Sequence, residues 1–247
     1  MKLARYSRQK SESGYYHIIL RGVNRQDIFF DEEDRERMLD TLKRFQQETE
    51  IIISAWCLMS NHIHLLVKAS EKLDLFVKKI ASSYVYYFNR KYDRVGHLFQ
   101  DRYRSEPVDS DAYLLTVFRY ILQNPAKAGI GKTDAYPWNS WKTVEGRETF
   151  CDIAQILAIV GDWQTLRDYV LQQNEDQCLE AEGVQAHSEA EALEVALRIT
   201  GGDNPLNIAL QSKEERDEVI AKMKAAGISI RQISRLTGIN RNIIQRA

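Results

Sequence analysis

Asn61-His62-Ile63-His64-Leu65-Leu66-Val67 places two histidines around one bulky apolar residue and runs straight into an apolar stretch. The stretch reads as a β-strand, along which residues i and i+2 point to the same face. His62 and His64 then offer two imidazoles side by side, a pairing that suits a divalent metal ion. The alternative is two histidines on the polar face of a half-buried strand, because a short His-x-His pattern is weak by itself. Upstream, Ile51 to Leu58 opens with a β-branched run and reads as a second strand, and Tyr15 to Leu20 as a third that leads into a turn at Gly22. Glu32 to Glu50 reads as a charged amphipathic helix with Met38, Leu39, Leu42 and Phe45 facing inward, and Leu73 to Tyr92 as a long helix. Short strands alternating with helices predict an α+β fold, an antiparallel sheet with helices packed against it.

A second chemical element lies at Tyr120-Ile121-Leu122-Gln123-Asn124-Pro125. Ala112 to Asn124 has helical spacing, with Leu114, Leu115, Phe118, Ile121 and Leu122 able to share one apolar face. Tyr120 and Asn124 stand at i and i+4, so they are neighbours on that helix. Pro125 is expected to end the helix and to bias Asn124 away from regular helical geometry. An amide beside a tyrosine can supply an oxygen ligand to the ion held by the histidines. A phenol is a weak nucleophile at neutral pH, since its pKa is about 10. Next to a divalent ion that polarises a phosphate, it can attack phosphorus and form a phosphotyrosine. Read alone, the same residues are an ordinary helical tyrosine and an Asn cap before a proline. Tyr113 and Tyr103 are competing tyrosines on nearby segments.

Trp56-Cys57-Leu58-Met59-Ser60-Asn61-His62-Ile63-His64-Leu65-Leu66-Val67 resembles the HUH motif of single-tyrosine transposases. It is most similar to the REP-associated tyrosine transposases, relatives of the insertion-sequence-200-like enzymes. Further stretches resemble the family in its own order: Tyr16-His17-Ile18 through Arg21-Gly22-Val23-Asn24-Arg25-Gln26, then Gly96-His97-Leu98-Phe99-Gln100-Asp101-Arg102-Tyr103, Tyr120 to Pro125, and Tyr136-Pro137-Trp138-Asn139-Ser140-Trp141. The resemblance spans about residues 10 to 172. It implies a ferredoxin-like or RRM-like sheet. It implies that His62, His64 and Asn124 bind Mg2+ or Mn2+, and that Tyr120 attacks DNA to leave a 5′-phosphotyrosine and a free 3′ hydroxyl. The implied substrate is single-stranded DNA beside a hairpin of the REP palindrome type. Ser60 stands where proline is frequent and Trp56 where tyrosine is frequent; neither touches a matched catalytic position. Arg21, Asn24, Arg102 and Arg104 are the candidate DNA contacts of this part of the chain.

With 247 residues, the chain allows one large or two smaller domains, and 44% hydrophobic residues can supply a core. A net charge of −1 does not by itself announce a nucleic-acid binder. Residues 84 to 104 interleave cations with aromatics, which suits phosphate contact and base stacking, or else forms the solvated basic face of a helix. Cys57, Cys151 and Cys178 are widely spaced and form no CxxC pair, which fits a reducing cytoplasm and argues against a structural zinc site. No apolar run is long enough to span a membrane.

Residues 152 to 173 read as helical and complete a catalytic domain over 1–173. Residues 174–194 carry seven acidic residues and no Lys or Arg, an acidic linker or helix. A small helical region over 195–247 follows. From Lys222 to Ala247 there are six Lys or Arg residues and no acid. Ile230 to Ile244 has helix-turn-helix spacing: Ser234 allows close approach, Gly238 permits the turn, Asn240 can cap a second helix and Ile244 can anchor it. Arg241, Asn242 and Gln245 are then placed to meet a major groove; the alternative is a helical hairpin for packing or dimerisation. The functional expectation is a transposase-like nuclease and strand transferase, monomeric or homodimeric. Its competitor is a domesticated DNA-binding regulator without strand-transfer activity.

Overall fold

The computed structural model describes residues 9–69, 71–100, 102–147, 149–179, 189–228, 230–240 and 243–244. The chain divides into two compact units, residues 1–181 and 182–247.

In the first unit the elements run β1 (Tyr15–Arg21), α1 (Glu32–Thr49), β2 (Ile52–Leu58), β3 (His62–Lys68), α2 (Leu73–Lys91), β4 (Arg104–Pro107) and α3 (Asp111–Lys127). Three short helices follow: α4 (Trp141–Val144), α5 (Ala154–Val160) and α6 (Trp163–Leu171). The strands form one sheet in the order β2-β3-β1-β4, with antiparallel pairing at every join. A βαββαβ run with β1 and β3 in the centre is the ferredoxin-like arrangement, so the expected α+β sheet is what forms.

Both faces of the sheet are covered. Ile18, Leu20, Ile63, Leu65 and Val67 pack with Met38, Leu42 and Phe45 of α1 and Phe76, Ile80, Tyr84 and Phe88 of α2. Ala55, Cys57 and Leu66 pack on the other side with Leu114, Val117, Phe118, Ile121 and Leu122 of α3, and with Ile156 and Leu166. The His62–Val67 strand is therefore buried on two sides, where half-burial was the alternative expected from sequence. Its odd and even residues sort to opposite faces because the pleat alternates.

Ser110 caps α3 by accepting from the Tyr113 N–H at 3.2 Å. Contrary to the sequence expectation, Pro125 does not end this helix, which continues to Lys127 with Asn124 inside it. Proline forfeits its bond to the carbonyl four residues before it and crowds that carbonyl, but with only Ala126 and Lys127 after it the disturbance falls in the last turn. The Ala128 N–H still reaches the Asn124 carbonyl at 2.9 Å.

The acidic stretch after residue 173 is tied to α3 where it is described. Arg119 of α3 holds Asp176 through two hydrogen bonds of 2.8 and 3.0 Å, and Asn174 Nδ2 donates to Gln123 Oε1 at 2.7 Å. The first unit accordingly extends past the expected boundary at 173.

The second unit contains α7 (Glu189–Ile199), α8 (Lys213–Ala225) and α9 (Ile230–Thr237), around Ala192, Ala196, Ile208, Ile220, Met223, Ile233, Ile239 and Ile244. Ser212 and Glu215 form a reciprocal capping box at the start of α8. After α9, Gly238 adopts φ 70°, and Ser234 Oγ donates to the Ile239 carbonyl at 2.8 Å. Arg241, Asn242 and Gln245 lie outside the described residues. Among the described residues, no helix is long and apolar enough to cross a membrane.

Candidate active site

Pairing of β1 with β3 sets Arg21 opposite His62 and Ile19 opposite His64, with His17 opposite Leu66. Alternation then turns His17, Arg21, His62 and His64 to the same face of the sheet, the face covered by α3. The rings of His62 and His64 are 4.8 Å apart and nearly perpendicular. Tyr120 reaches them from α3: its ring lies edge-on at 5.9 Å from His64 and 5.9 Å from His17. Residues far apart in sequence, the strand histidines and the helix tyrosine, thus form one cluster.

Each imidazole of the pair is engaged at Nδ1. His62 Nδ1 lies 2.6 Å from Asn61 Oδ1. An amide oxygen can only accept, so that nitrogen carries the proton and Nε2 keeps its lone pair. Asn61 is itself oriented by its Nδ2, which donates to the Arg25 carbonyl at 3.2 Å. The turn that supplies this carbonyl is held against the His strand: the Gly22 N–H donates to the Asn61 carbonyl and the Ile28 N–H to that of Ser60, both at 2.8 Å. Gly22 is required there for space, since a Cβ would collide with the Gln26 carbonyl oxygen. His64 Nδ1 is 2.9 Å from His17 Nε2.

Burial keeps all three rings neutral. It lowers His17 to about 3, helped by the charge of Arg104. It lowers His62 to about 4, helped by Arg21. It drives His64 well below the ordinary histidine value, helped by its two histidine neighbours. Neutral imidazoles are what metal coordination needs.

Asn124 Nδ2 donates to the Tyr120 carbonyl at 3.0 Å, which confirms the i, i+4 relation and leaves the amide oxygen as the available donor atom. His62, His64 and Asn124 would offer two ring nitrogens and one amide oxygen, a mixed donor set in which imidazole suits divalent transition metals and the amide oxygen suits Mn2+ or Mg2+. Among the described residues no group of three or more His, Cys, Asp or Glu side chains is placed to hold a metal ion.

The competing tyrosines are committed elsewhere. Tyr103 donates to Asp74 Oδ1 at 2.8 Å. Tyr113 has its hydroxyl pushed upward by burial and by a hydrogen bond to Glu106. Of the candidate DNA contacts, Arg21 lies across from His62, exposed Asn24 occupies the turn after β1, and Arg104 pairs across from Ile19 on the edge strand. Arg102 is separate: it lines a cavity of about 950 Å3 with Tyr16, Lys68 and Asp74. In the basic aromatic segment, Lys91 is consumed by Asp31, Glu33 and Asp34, at 2.8 to 3.0 Å. Tyr86, Arg90, Arg94, His97 and Phe99 instead line a shallow groove of about 710 Å3. His17 is the site residue that sequence reasoning did not assign. The signal lay in Tyr16-His17-Ile18, a histidine inside an apolar strand, but its neighbour across the sheet could not be read locally.

Residues 10–124, which include His17, His62, His64, Tyr120 and Asn124, match the model of the family described as IS200-like transposase. No curated protein matches the chain. Among solved structures, the chain is similar to a REP-associated tyrosine transposase bound to a REP hairpin. The TM-score is 0.52 and the identity 13%, over 62% of this chain and 93% of that one; at that identity the likeness bears on the fold alone. A protein from Deinococcus radiodurans R1 described as a transposase is 20% identical over 52% of this chain and 97% of its own, with a TM-score of 0.34, too low to support a structural argument.

Proposed function

We propose that this chain, which carries an IS200-like transposase domain over residues 10–124, cuts and rejoins single-stranded DNA beside hairpins through a 5′-phosphotyrosine on Tyr120. The observation that carries this reading is the approach of the Tyr120 ring to His64 of the histidine pair and to His17 beside it. In it, His62, His64 and Asn124 hold Mg2+ or Mn2+. Such an ion, when bound, withdraws charge from a scissile phosphate. The Tyr120 oxygen attacks phosphorus, the bond to the 3′ oxygen breaks, and the 3′ end leaves as a hydroxyl. Rejoining is the reverse: a 3′ hydroxyl attacks the phosphotyrosine and frees Tyr120. No nucleotide cofactor is needed, because the phosphoester bond is exchanged and not hydrolysed.

The rest of the chain supplies grip. Arg21 and Arg104 lie beside the histidines and Asn24 is exposed in the turn after β1, and all three are suited to phosphate contact, which fixes register without reading sequence. The REP hairpin bound by the solved relative supports a hairpin as the substrate class. The C-terminal unit, with its helix-turn-helix spacing from Ile230 onward, adds affinity for duplex DNA. Incubating the protein with labelled hairpin DNA and Mn2+, then separating under denaturing conditions, tests the reading. A labelled protein band is expected from the natural chain and none from Tyr120→Phe. An adduct that survives this substitution removes Tyr120 from its role.

A further inference from the structure

His17 is fully buried on a central strand and belongs to neither the nucleophile nor the donor set proposed above. Its ring is stacked on that of His64, with centroids 5.2 Å apart and planes 26° from parallel. Its Nε2 sits 2.9 Å from His64 Nδ1, while its own Nδ1 is buried without a hydrogen-bond partner. A contact this short between two ring nitrogens holds one proton, which can sit on either of them. With the proton on His17 Nε2, His64 carries its own proton on Nε2 and has no lone pair there. With the proton on His64 Nδ1, His64 Nε2 is a bare nitrogen able to bind a cation. His62 is already held in the second state by Asn61. Metal-binding histidines are commonly oriented by a partner at their other nitrogen, and here the partner is a third histidine.

We infer that His17 is a positioning residue that accepts the Nδ1 proton of His64, fixing that ring's tautomer and plane so that its Nε2 serves as a metal ligand. The inference rests on the proposed metal site at His62 and His64. It makes His17 different from a packing residue in one respect: what matters is an acceptor atom at the position of Nε2. Glutamine can present its amide oxygen to His64 Nδ1, whereas phenylalanine fills the ring's volume and presents nothing.

Manganese binding, measured by calorimetry with Mn2+ alone and no DNA, separates these cases. The natural chain and His17→Gln are expected to bind within a few-fold of each other, and His17→Phe about 10- to 100-fold more weakly, with folding of each checked by its melting curve. Equal affinity of the natural chain and His17→Phe, or loss in His17→Gln with retention in His17→Phe, overturns the inference and leaves the metal site standing. No binding by the natural chain overturns the metal site itself, and the inference with it. A second measurement needs no variant. Nitrogen-15 spectra of the natural chain saturated with Zn2+, as a diamagnetic substitute, should show the His64 proton on Nδ1 and His17 Nε2 unprotonated. A proton on His17 Nε2 in that state refutes the assignment.

Discussion

Acidifying the metal-free protein from pH 7 to pH 5 should weaken the first unit markedly, and His17 alone sets a scale for the effect. Its ordinary value of 6.5 falls to about 3 in the fold because burial disfavours the charged ring. The folded value is depressed, so the stabilisation is complete above pH 6.5 and is lost as pH falls towards 3. At pH 5 the unfolded chain holds a proton on this residue and the folded chain does not. By linkage, that difference of 1.5 pH units below 6.5 costs about 2 kcal/mol, at roughly 1.4 kcal/mol per pH unit. His62 and His64 act in the same direction. The carboxylates held low by Lys, Ser or Thr partners, among them Asp31, Glu48 and Asp162, titrate below this window, starting from values of 3.8 to 4.5. Against a typical domain stability of about 5–15 kcal/mol, the loss is large. Urea unfolding in chelator at pH 7, 6 and 5 measures it. Tryptophan fluorescence is a selective probe, since Trp56, Trp138, Trp141 and Trp163 all lie in the first unit. His17→Phe should reduce the pH slope by about one proton, roughly 1.4 kcal/mol per pH unit. An unfolding free energy that is flat from pH 7 to 5, or an unchanged slope in that variant, refutes the reasoning.

His62→Ala should abolish adduct formation on hairpin DNA while moving the melting temperature little, because this ring is only partly buried; full activity of the natural chain in excess chelator would discard the metal mechanism. Gly22→Ala should destabilise the first unit by about 1–3 kcal/mol, as the new Cβ displaces the Gln26 carbonyl from the turn that supports Asn61; an unchanged urea midpoint would contradict this. A chain ending after residue 181, where the first unit ends, should still form the adduct at high DNA concentration but bind hairpin DNA more weakly, with a shallower dependence on salt. Equal affinity and equal salt slope for the two chains would assign the C-terminal helices to packing or dimerisation.

The local geometry of the site was legible in the sequence. A strand's period of two puts His62 and His64 on one face whatever the strand packs against, and a helix's period puts Tyr120 beside Asn124. The apolar positions of α1 and α3 follow from the same arithmetic, which is why Met38, Leu42, Phe118 and Ile121 turn out to be buried. Pairing is a different matter. That His17 meets His64, 47 residues away, depends on β1 lying beside β3 in a particular register, and a shift by one residue would turn His17 to the opposite face. Only the assembled sheet shows that both of its faces are covered, which is what makes three histidines neutral. Only packing between α1 and α2 shows that Lys91 serves Asp34 and its neighbours and is not available to DNA. Pro125 is tolerated inside α3 because the helix ends within a turn of it, a fact of context that a local breaker rule cannot hold. Periodicity is a property of the backbone and can be read residue by residue; burial and partnership are properties of segments brought together across the chain, and they exist only once it has folded.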